Sequence, residues 1–346
     1  MPTRAAARAL SAILLTLSGC SPAVETTPGE STSCAPGQVQ CRAGAPWVCH
    51  DGARGFEEGE PCEEDAPVCV EGVGCAACHP GSTGCAGNAP VRCEESGRWS
   101  EPSEPCAVAE GELCHFGVCV DACAAAAEGR SSIGCEYWAV DLPNHPTDDG
   151  RGLLPRDAQF AVVVSNGHEE VPARVALFGQ GDESAPLVTA EVPPLGLRIL
   201  EVNPARPPAS TNVEGTGLHR GRAFRLVSSV PVTAYQFNPL NNTEAAFSND
   251  ASLLLPVHVL DHDYIAVTAD LSGFVTVVAT EDDTTVTAEP TEDVLPGPGI
   301  GSGRDPIEIR LDRYDVLNLE ARTSEGAGLR GNGNLSGSRV RADRPV

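Results

Sequence analysis

The feature that most constrains this chain is a ladder of cysteines that occurs twice near its start. The ladders have the same internal steps, and their members are Cys34, Cys41, Cys49 and Cys62, then Cys78, Cys85, Cys93 and Cys106. The flanking residues recur as well, since Glu60-Pro61-Cys62 matches Glu104-Pro105-Cys106. Repetition of this kind indicates that one small structural unit was duplicated. Units this short are usually held together by cross-links, because their cores are small.

The cysteine count predicts disulfide bonds. The chain has 15 cysteines, and all except Cys20 lie between Cys34 and Cys135. The even number that remains is typical of an exported protein in an oxidising compartment. Each repeat has six cysteines, which are Cys34, Cys41, Cys49, Cys62, Cys69 and Cys75, then Cys78, Cys85, Cys93, Cys106, Cys114 and Cys119. We expect the remaining two, Cys123 and Cys135, to pair with each other, whereas six cysteines can pair in too many ways for the connectivity of a repeat to be predicted.

The first residues predict export and lipidation. Arg4 and Arg8 precede an apolar stretch, residues 9–17, which is too short to span a bilayer. The stretch ends in Leu17-Ser18-Gly19-Cys20, which resembles the lipobox of bacterial lipoproteins; an ordinary secretory signal is the alternative. The resemblance implies a signal peptide at residues 1–19 and a lipid anchor on Cys20, and the non-acidic Ser21 implies the outer membrane. Residues 20–33 have the composition of a flexible tether.

The charge restricts the partners. The chain has 23 basic and 48 acidic residues, with a net charge of −25, so it repels nucleic acid and anionic lipid. Neutral, cationic or polyvalent partners fit this charge. Acidic clusters at Asp148-Asp149, Asp261/Asp263 and Glu281-Asp282-Asp283 are candidate calcium ligands, but their spacing follows no calcium-loop pattern. We therefore interpret them as solvated turn residues.

One motif suggests a different function. Cys75-Ala76-Ala77-Cys78-His79 fits the pattern for covalent attachment of haem c. Cys78 is also the first cysteine of the second ladder, which gives it a structural role. His258 and His262 are four residues apart, but their context predicts a strand and a loop, which breaks the helical geometry of a metal site. We therefore predict no cofactor, no metal and no catalytic residue, and haem and calcium remain the alternatives.

The sequence after Cys135 differs from the cysteine-rich part. It predicts short β-strands separated by turn signals such as Asn166-Gly167. The predicted fold is mainly β: cysteine-rich repeats at residues 34–77 and 78–122, then an antiparallel all-β domain at residues 123–346. A sandwich and a propeller-like arrangement both fit.

The β region also repeats internally. Phe160-Ala-Val-Val-Val-Ser aligns with Phe274-Val-Thr-Val-Val-Ala. Arg344-Pro345-Val346 aligns with Val230-Pro231-Val232, where the first copy continues into a strand. The second copy therefore stops where a strand should begin. On this reading the domain is truncated at its C-terminus and leaves an open strand edge.

Three stretches resemble a known family. They are residues 134–141 (GCEYWAVD), 229–239 (SVPVTAYQFNP) and 279–287 (ATEDDTTVT). In this order they resemble the N-terminal domain of IgGFc-binding proteins as it occurs in bacterial surface proteins, over about residues 131–346. The resemblance implies a β-rich binding scaffold without catalytic residues. It does not carry antibody binding over to this chain.

These observations predict a lipid-anchored protein displayed at the cell surface that binds or adheres and is not an enzyme. The expected partners are the membrane, through the lipid, and a protein or glycan ligand at the surface, but not nucleic acid. An envelope redox protein with haem at Cys75, Cys78 and His79 and a purely structural envelope component are the alternatives.

Overall fold

The computed structural model of the chain describes residues 34–50, 55–142, 159–202, 211–240, 250–268, 273–322 and 333–346. The predicted signal peptide, Cys20, the tether and Asp148-Asp149 lie outside these residues. Contacts divide the chain into two units, Met1–His79 and Pro80–Val346. The division falls close to the predicted boundary between the two cysteine-rich repeats.

The first unit is a small β module cross-linked by three disulfides. Its strands are β1 (Val39–Arg42), β2 (Ala45–Cys49), β3 (Phe56–Glu58), β4 (Val68–Val70) and β5 (Gly74–Ala76). Strands β1, β2 and β3 form one antiparallel sheet and β4 and β5 form a hairpin. The disulfides are Cys34–Cys49, Cys41–Cys69 and Cys62–Cys75. The bond between Cys41 and Cys69 joins the sheet to the hairpin.

The second unit begins with the matching module. Its elements are β6 (Thr83–Ala86), β7 (Ala89–Arg92), β8 (Glu112–His115), β9 (Val118–Asp121) and the short helix α1 (Ala122–Ala127). Cys85–Cys114 and Cys106–Cys119 repeat the second and third bridges of the first module, and Cys78 and Cys93 are also disulfide-bonded. The structure joins Cys123 to Cys135. This module is not separate from the β domain, because its Val108 and Leu113 pack against the first core of that domain.

The β domain contains the remaining strands. Those of the first half are β10 (Gly134–Val140), β11 (Ala161–Ser165), β12 (Ala173–Gly179), β13 (Val188–Val192), β14 (Leu197–Glu201), β15 (Gly217–His219) and β16 (Ala223–Asn238). Strand β17 (Asp250–Leu253) follows and pairs with β16, and those of the second half are β18 (Asp263–Ile265), β19 (Phe274–Val278), β20 (Thr284–Glu289), β21 (Ile307–Leu311), β22 (Val316–Glu320) and β23 (Arg339–Ala342). A 3₁₀ turn at Val257–Val259 precedes β18. The mainly β, antiparallel architecture predicted from the sequence is confirmed.

The long strand β16 organises the first half of the domain. Its first part pairs with β10 and β12, and its last part pairs with β11 and β17. Alternate side chains along it are buried, so both parts face one core. That core contains Tyr137 from β10, Val162 from β11, Leu177 from β12 and Leu226 from β16. Two sheet layers that share a strand and enclose one core form a sandwich, which resolves the choice left open by the sequence.

The second half repeats this topology. The order β21-β20-β23-β18 matches β13-β12-β16-β10, and the pair β22-β19 matches β14-β11. A separate core lies inside it, with Val286, Leu311, Leu317 and Val340 among its buried residues. We call the two halves copy 1 (residues 134–254, with β17 as its last strand) and copy 2 (residues 257–346).

One detail of the sequence alignment is wrong. Alignment of Phe160 with Phe274 would place Val162 and Val164, which belong to the first core, opposite Thr276 and Val278. In β19, Val277 belongs to the second core and Val275 packs against it. The copies are therefore shifted by one residue here, because side chains alternate between sheet faces and a one-residue slip exchanges those faces. The alignment matched identical residue types, whereas the buried positions of the two strands give the correct register.

A tyrosine at the same position in each copy donates a hydrogen bond from its hydroxyl to a backbone carbonyl. The Tyr137 hydroxyl lies 2.9 Å from the Ser132 carbonyl and 2.5 Å from the Val232 carbonyl. The Tyr264 hydroxyl lies 3.0 Å from the Val346 carbonyl. Val346 therefore occupies the position of Val232, as the alignment of the two Pro-Val pairs predicted.

We expect Tyr137→Phe to destabilise the second unit by about 1–3 kcal/mol, because it leaves buried carbonyls without a donor. Tyr264→Phe should cost less, because the Tyr264 hydroxyl and its partner carbonyl are only part-buried. Guanidinium unfolding of the full chain, followed by tryptophan fluorescence, measures both. Equal costs for the two substitutions would contradict the prediction.

The Tyr137→Phe variant also has a pH signature. Burial raises the pKa of Tyr137 to about 12, above the ordinary tyrosine value of about 10. As pH rises, the Tyr137 hydroxyl therefore loses its proton in the unfolded chain before it does so in the folded chain. The contribution of this hydroxyl to the free energy of unfolding is complete below pH 10 and is lost as pH rises toward 12. Stability measured over this range should fall more steeply for the natural protein than for Tyr137→Phe.

Candidate binding site

The cysteines of the haem motif are part of the disulfide scaffold. Cys75 is bonded to Cys62, and Cys78 is also disulfide-bonded. Thioether attachment of haem c requires two free thiols, and neither sulfur is free. The haem alternative is therefore not supported by the arrangement of these residues.

The side chains of the histidine pair and of the neighbouring aspartates make separate local contacts and do not form one site. His258 lies in the 3₁₀ turn, and the His262 backbone nitrogen donates to Asp261, at 2.7 Å. Asp263 accepts from Arg339 Nε, at 2.8 Å, and this guanidinium holds the pKa of Asp263 below its usual range. Across the described residues, no group of three His, Cys, Asp or Glu side chains is placed to hold a metal ion.

The third acidic cluster is used in the same way. Glu281 pairs with Arg344, at 2.9 Å, and Asp283 pairs with Arg310. Asp282 accepts from the backbone nitrogen of Arg313, at 3.1 Å. These carboxylates lie in the turn before β20; two of them pair with arginines of the chain itself, and the third accepts from a backbone N–H.

The three stretches that carry the family resemblance form the framework of the fold. Residues 134–141 contain β10, residues 229–239 contain the last part of β16, and residues 279–287 enter β20. Gly134 shows why such positions are restricted, since a Cβ there would lie 2.6 Å from Cβ of Pro256. The motifs therefore specify packing, and a ligand site has to be sought elsewhere.

A groove on the outer face of copy 1 is the best candidate. It has a volume of about 640 Å³ and lies across β12, β13 and β16. Its lining residues are Arg174, Val175, Ala176, Phe178, Thr189, Ala190, Glu191, Val227, Ser228 and Ser229. Ala176 and Val227 face each other in the β12–β16 register and form an apolar floor of small side chains. We call this surface the copy 1 groove.

Charged groups of opposite sign flank this floor. Arg174 and Glu191 are cross-strand partners in the β12–β13 register. The Arg174 backbone nitrogen donates to Ser229 Oγ, at 3.0 Å, and its guanidinium donates to the Ala109 carbonyl, at 3.4 Å. A ligand segment in the groove would therefore meet an apolar floor with one cation and one anion beside it.

Copy 2 has different chemistry at the same positions. Thr287 and Arg341 face each other in the β20–β23 register, where copy 1 has Ala176 and Val227. Arg341 pairs with Glu289, at 2.7 Å, and Arg310 takes the position of Glu191. The fold thus accepts solvated ion pairs on this face, so the apolar floor of copy 1 is not required for folding.

Sequence reasoning missed this groove. The contrast between Ala176 and Thr287, and between Val227 and Arg341, is a signal in the sequence. It can be read only after the registers of both copies are known, because the two strands that form the floor are far apart in the chain.

The fold and its surfaces define an antiparallel β protein with disulfide-bonded modules and an apolar groove. The family model described as IgGFc binding protein matches residues 250–346, which contain β17 and the strands of copy 2. No curated protein and no solved structure matched the chain. Among the described residues, no helix is long and apolar enough to cross a membrane.

Proposed function

We propose that this protein is a lipid-anchored binding protein, displayed at the cell surface, that holds a protein ligand in the copy 1 groove and catalyses no reaction. The family match at residues 250–346 supports binding as the class of activity. The disulfide framework supports export, because disulfides persist in oxidising compartments. The anchor on Cys20 and the outer-membrane address come from the lipobox resemblance.

One observation carries the assignment of the groove. The positions of Ala176 and Val227 are apolar in copy 1, whereas their equivalents in copy 2 are Thr287 and Arg341, and Arg341 is ion-paired, although both copies share one topology. An exposed apolar surface favours association, so it persists where a partner covers it. The floor between Ala176 and Val227 fits an extended segment of a protein better than a sugar, which would need more hydrogen-bonding groups.

The charges suggest the chemistry of the ligand. The chain as a whole is strongly acidic, which favours a neutral or cationic ligand. Arg174 and Glu191 beside the floor add polar contacts that fix the orientation of a bound segment.

The test uses a phage-displayed library of random peptides selected on the full chain, with an antibody Fc fragment as an additional probe. We expect selected peptides to bind at least tenfold more weakly to Ala176→Glu/Val227→Glu, because two charges enter the apolar floor. The control is Thr287→Glu, the position equivalent to Ala176 in copy 2, which should bind as the natural chain does. Failure to select peptides, or equal binding to all three proteins, would show that the groove is not the ligand site.

A further inference from the structure

The two copies contact each other through a third buried cluster. Trp138 and Val140, on the face of β10 that points away from the first core, pack with Tyr314 and Val316 at the start of β22. The Trp138 and Tyr314 rings meet edge-on, with centroids 4.7 Å apart. Copy 1 thus supplies a strand face, and copy 2 supplies the surface that receives it.

Copy 2 has a second version of the strand face. The registers of β10 with β16 and of β18 with β23 place Tyr137 at the position of Tyr264, so Trp138 corresponds to Ile265 and Val140 to Val267. Trp138 and Val140 are 8% and 7% exposed, whereas Ile265 and Val267 are 61% and 87% exposed. The strand face of copy 2 is therefore apolar and uncovered.

Copy 1 has a second version of the receiving surface. The registers of β14 with β11 and of β22 with β19 place Leu195 at the position of Tyr314 and Leu197 at that of Val316. Leu195 and Tyr314 share a positive φ, 50° and 72°, which supports this equivalence. Tyr314 and Val316 are 2% and 0% exposed, whereas Leu195 and Leu197 are 71% and 56% exposed.

The uncovered receiving surface continues across four strands. Ile199, Val163, Tyr235 and Leu253 are consecutive cross-strand neighbours in one row on β14, β11, β16 and β17. Ile199, Tyr235 and Leu253 are all exposed. An apolar row of this length on the outside of an acidic protein marks an interaction surface.

We propose that the chain associates head to tail with a second copy of itself, the strand face of Ile265 and Val267 on one molecule packing against the receiving surface of Leu195 and Leu197 on the next. The contact within each molecule is the template, since it joins the equivalent residues. Because the two surfaces differ, the contact is heterologous and leaves one surface free at each end of a dimer, where a further molecule can add.

Polar neighbours predict that this contact is weaker than its template. The ion pair Glu136–Arg225 beside Trp138 recurs beside Ile265 as Asp263–Arg339. Arg313, however, lies over the Trp138 ring at 5.6 Å and has Pro194 as its counterpart in copy 1. The contact between molecules lacks this arginine and has Ile265 in place of the larger tryptophan. We therefore expect a weak association, whose extent depends on protein concentration.

The test is sedimentation equilibrium of the full chain in a density-matched detergent over a series of concentrations. We expect the mean mass to rise with concentration. The strand-face variant Ile265→Glu/Val267→Glu and the receiving-surface variant Leu195→Glu/Leu197→Glu should each associate at least tenfold more weakly. Val118→Glu, which changes an exposed valine on the β8–β9 hairpin, is the control and should behave as the natural chain does.

Mixing the two variants separates this proposal from other modes of association. Each retains the surface that the other has lost, so an equimolar mixture should form dimers and nothing larger. Restoration in the mixture also shows that both variants are folded. A natural chain that stays monomeric at all concentrations, a variant that still dimerises alone, or a mixture that stays monomeric would overturn the proposal.

Discussion

Replacing both Cys41 and Cys69 by serine is expected to unfold the first cysteine module while the second unit stays folded. This bridge joins the β1–β2–β3 sheet to the β4–β5 hairpin, and its two cysteines are separated by 28 positions in the sequence. Loop-closure entropy assigns such a bridge about 3.5 kcal/mol, which is most of the stability that a module this small can have. Few other contacts can replace it, since the buried residues in the described part of the first unit are small or already cross-linked: Cys34, Pro46, Cys49, Gly74, Ala76 and Cys78.

Hydrogen exchange followed by mass spectrometry measures this effect region by region. We expect amides of β1, β2 and β4 to lose their protection and amides of β16 to keep it. Cys123→Ser/Cys135→Ser is the matched control, with a sequence separation of 12 on a unit that has its own large core. A Cys41 and Cys69 variant with native protection in the first module would show that apolar packing, and not the bridge, holds the module together.

Replacing Cys20 by serine is expected to release the protein from the membrane fraction. A single acyl chain gives only marginal attachment, with a binding constant of about 10⁴ M⁻¹, and a lipidated N-terminal cysteine has more than one chain. Without that cysteine the lipid has no attachment point, and the acidic chain is repelled by anionic lipid. Radioactive palmitate labelling and membrane fractionation of cells that produce the full chain measure the change.

Ser21→Ala is the matched control, because it leaves the lipid attachment cysteine in place and keeps a non-acidic residue after it. We expect the natural chain and this variant to be labelled and to sediment with membranes. A natural chain that takes up no label would favour the ordinary secretory signal and remove the anchor from the proposed function.

Much of the architecture could be predicted from the sequence because its signals are local or repeated. The ladder of cysteines marked the two modules, and alternation with turn residues marked the short strands. The Pro-Val pairs at 231–232 and 345–346 placed both copies in register, as the Tyr137 and Tyr264 hydroxyl contacts show. Within the modules the disulfide pairing stayed open, because the bond between Cys41 and Cys69 depends on how a sheet and a hairpin are placed.

The groove and the exposed surfaces could not be predicted because they depend on contacts between distant strands. Ala176 and Val227 form one floor only because β12 and β16 are neighbours. Trp138 and Ile265 occupy equivalent positions, but one is covered by copy 2 and the other is exposed. No local pattern separates these two cases.

The sequence by itself determined the class of the fold, the duplication of both parts and the set of cysteines that cross-link the modules. These properties follow from composition, spacing and period, which act over a few residues. Only the tertiary structure decided which cysteines pair in the modules, which face of each copy is covered and where an apolar groove remains. Burial is a property of neighbours in space, and β-sheet pairing brings together residues whose distance along the chain sets no limit on their contact.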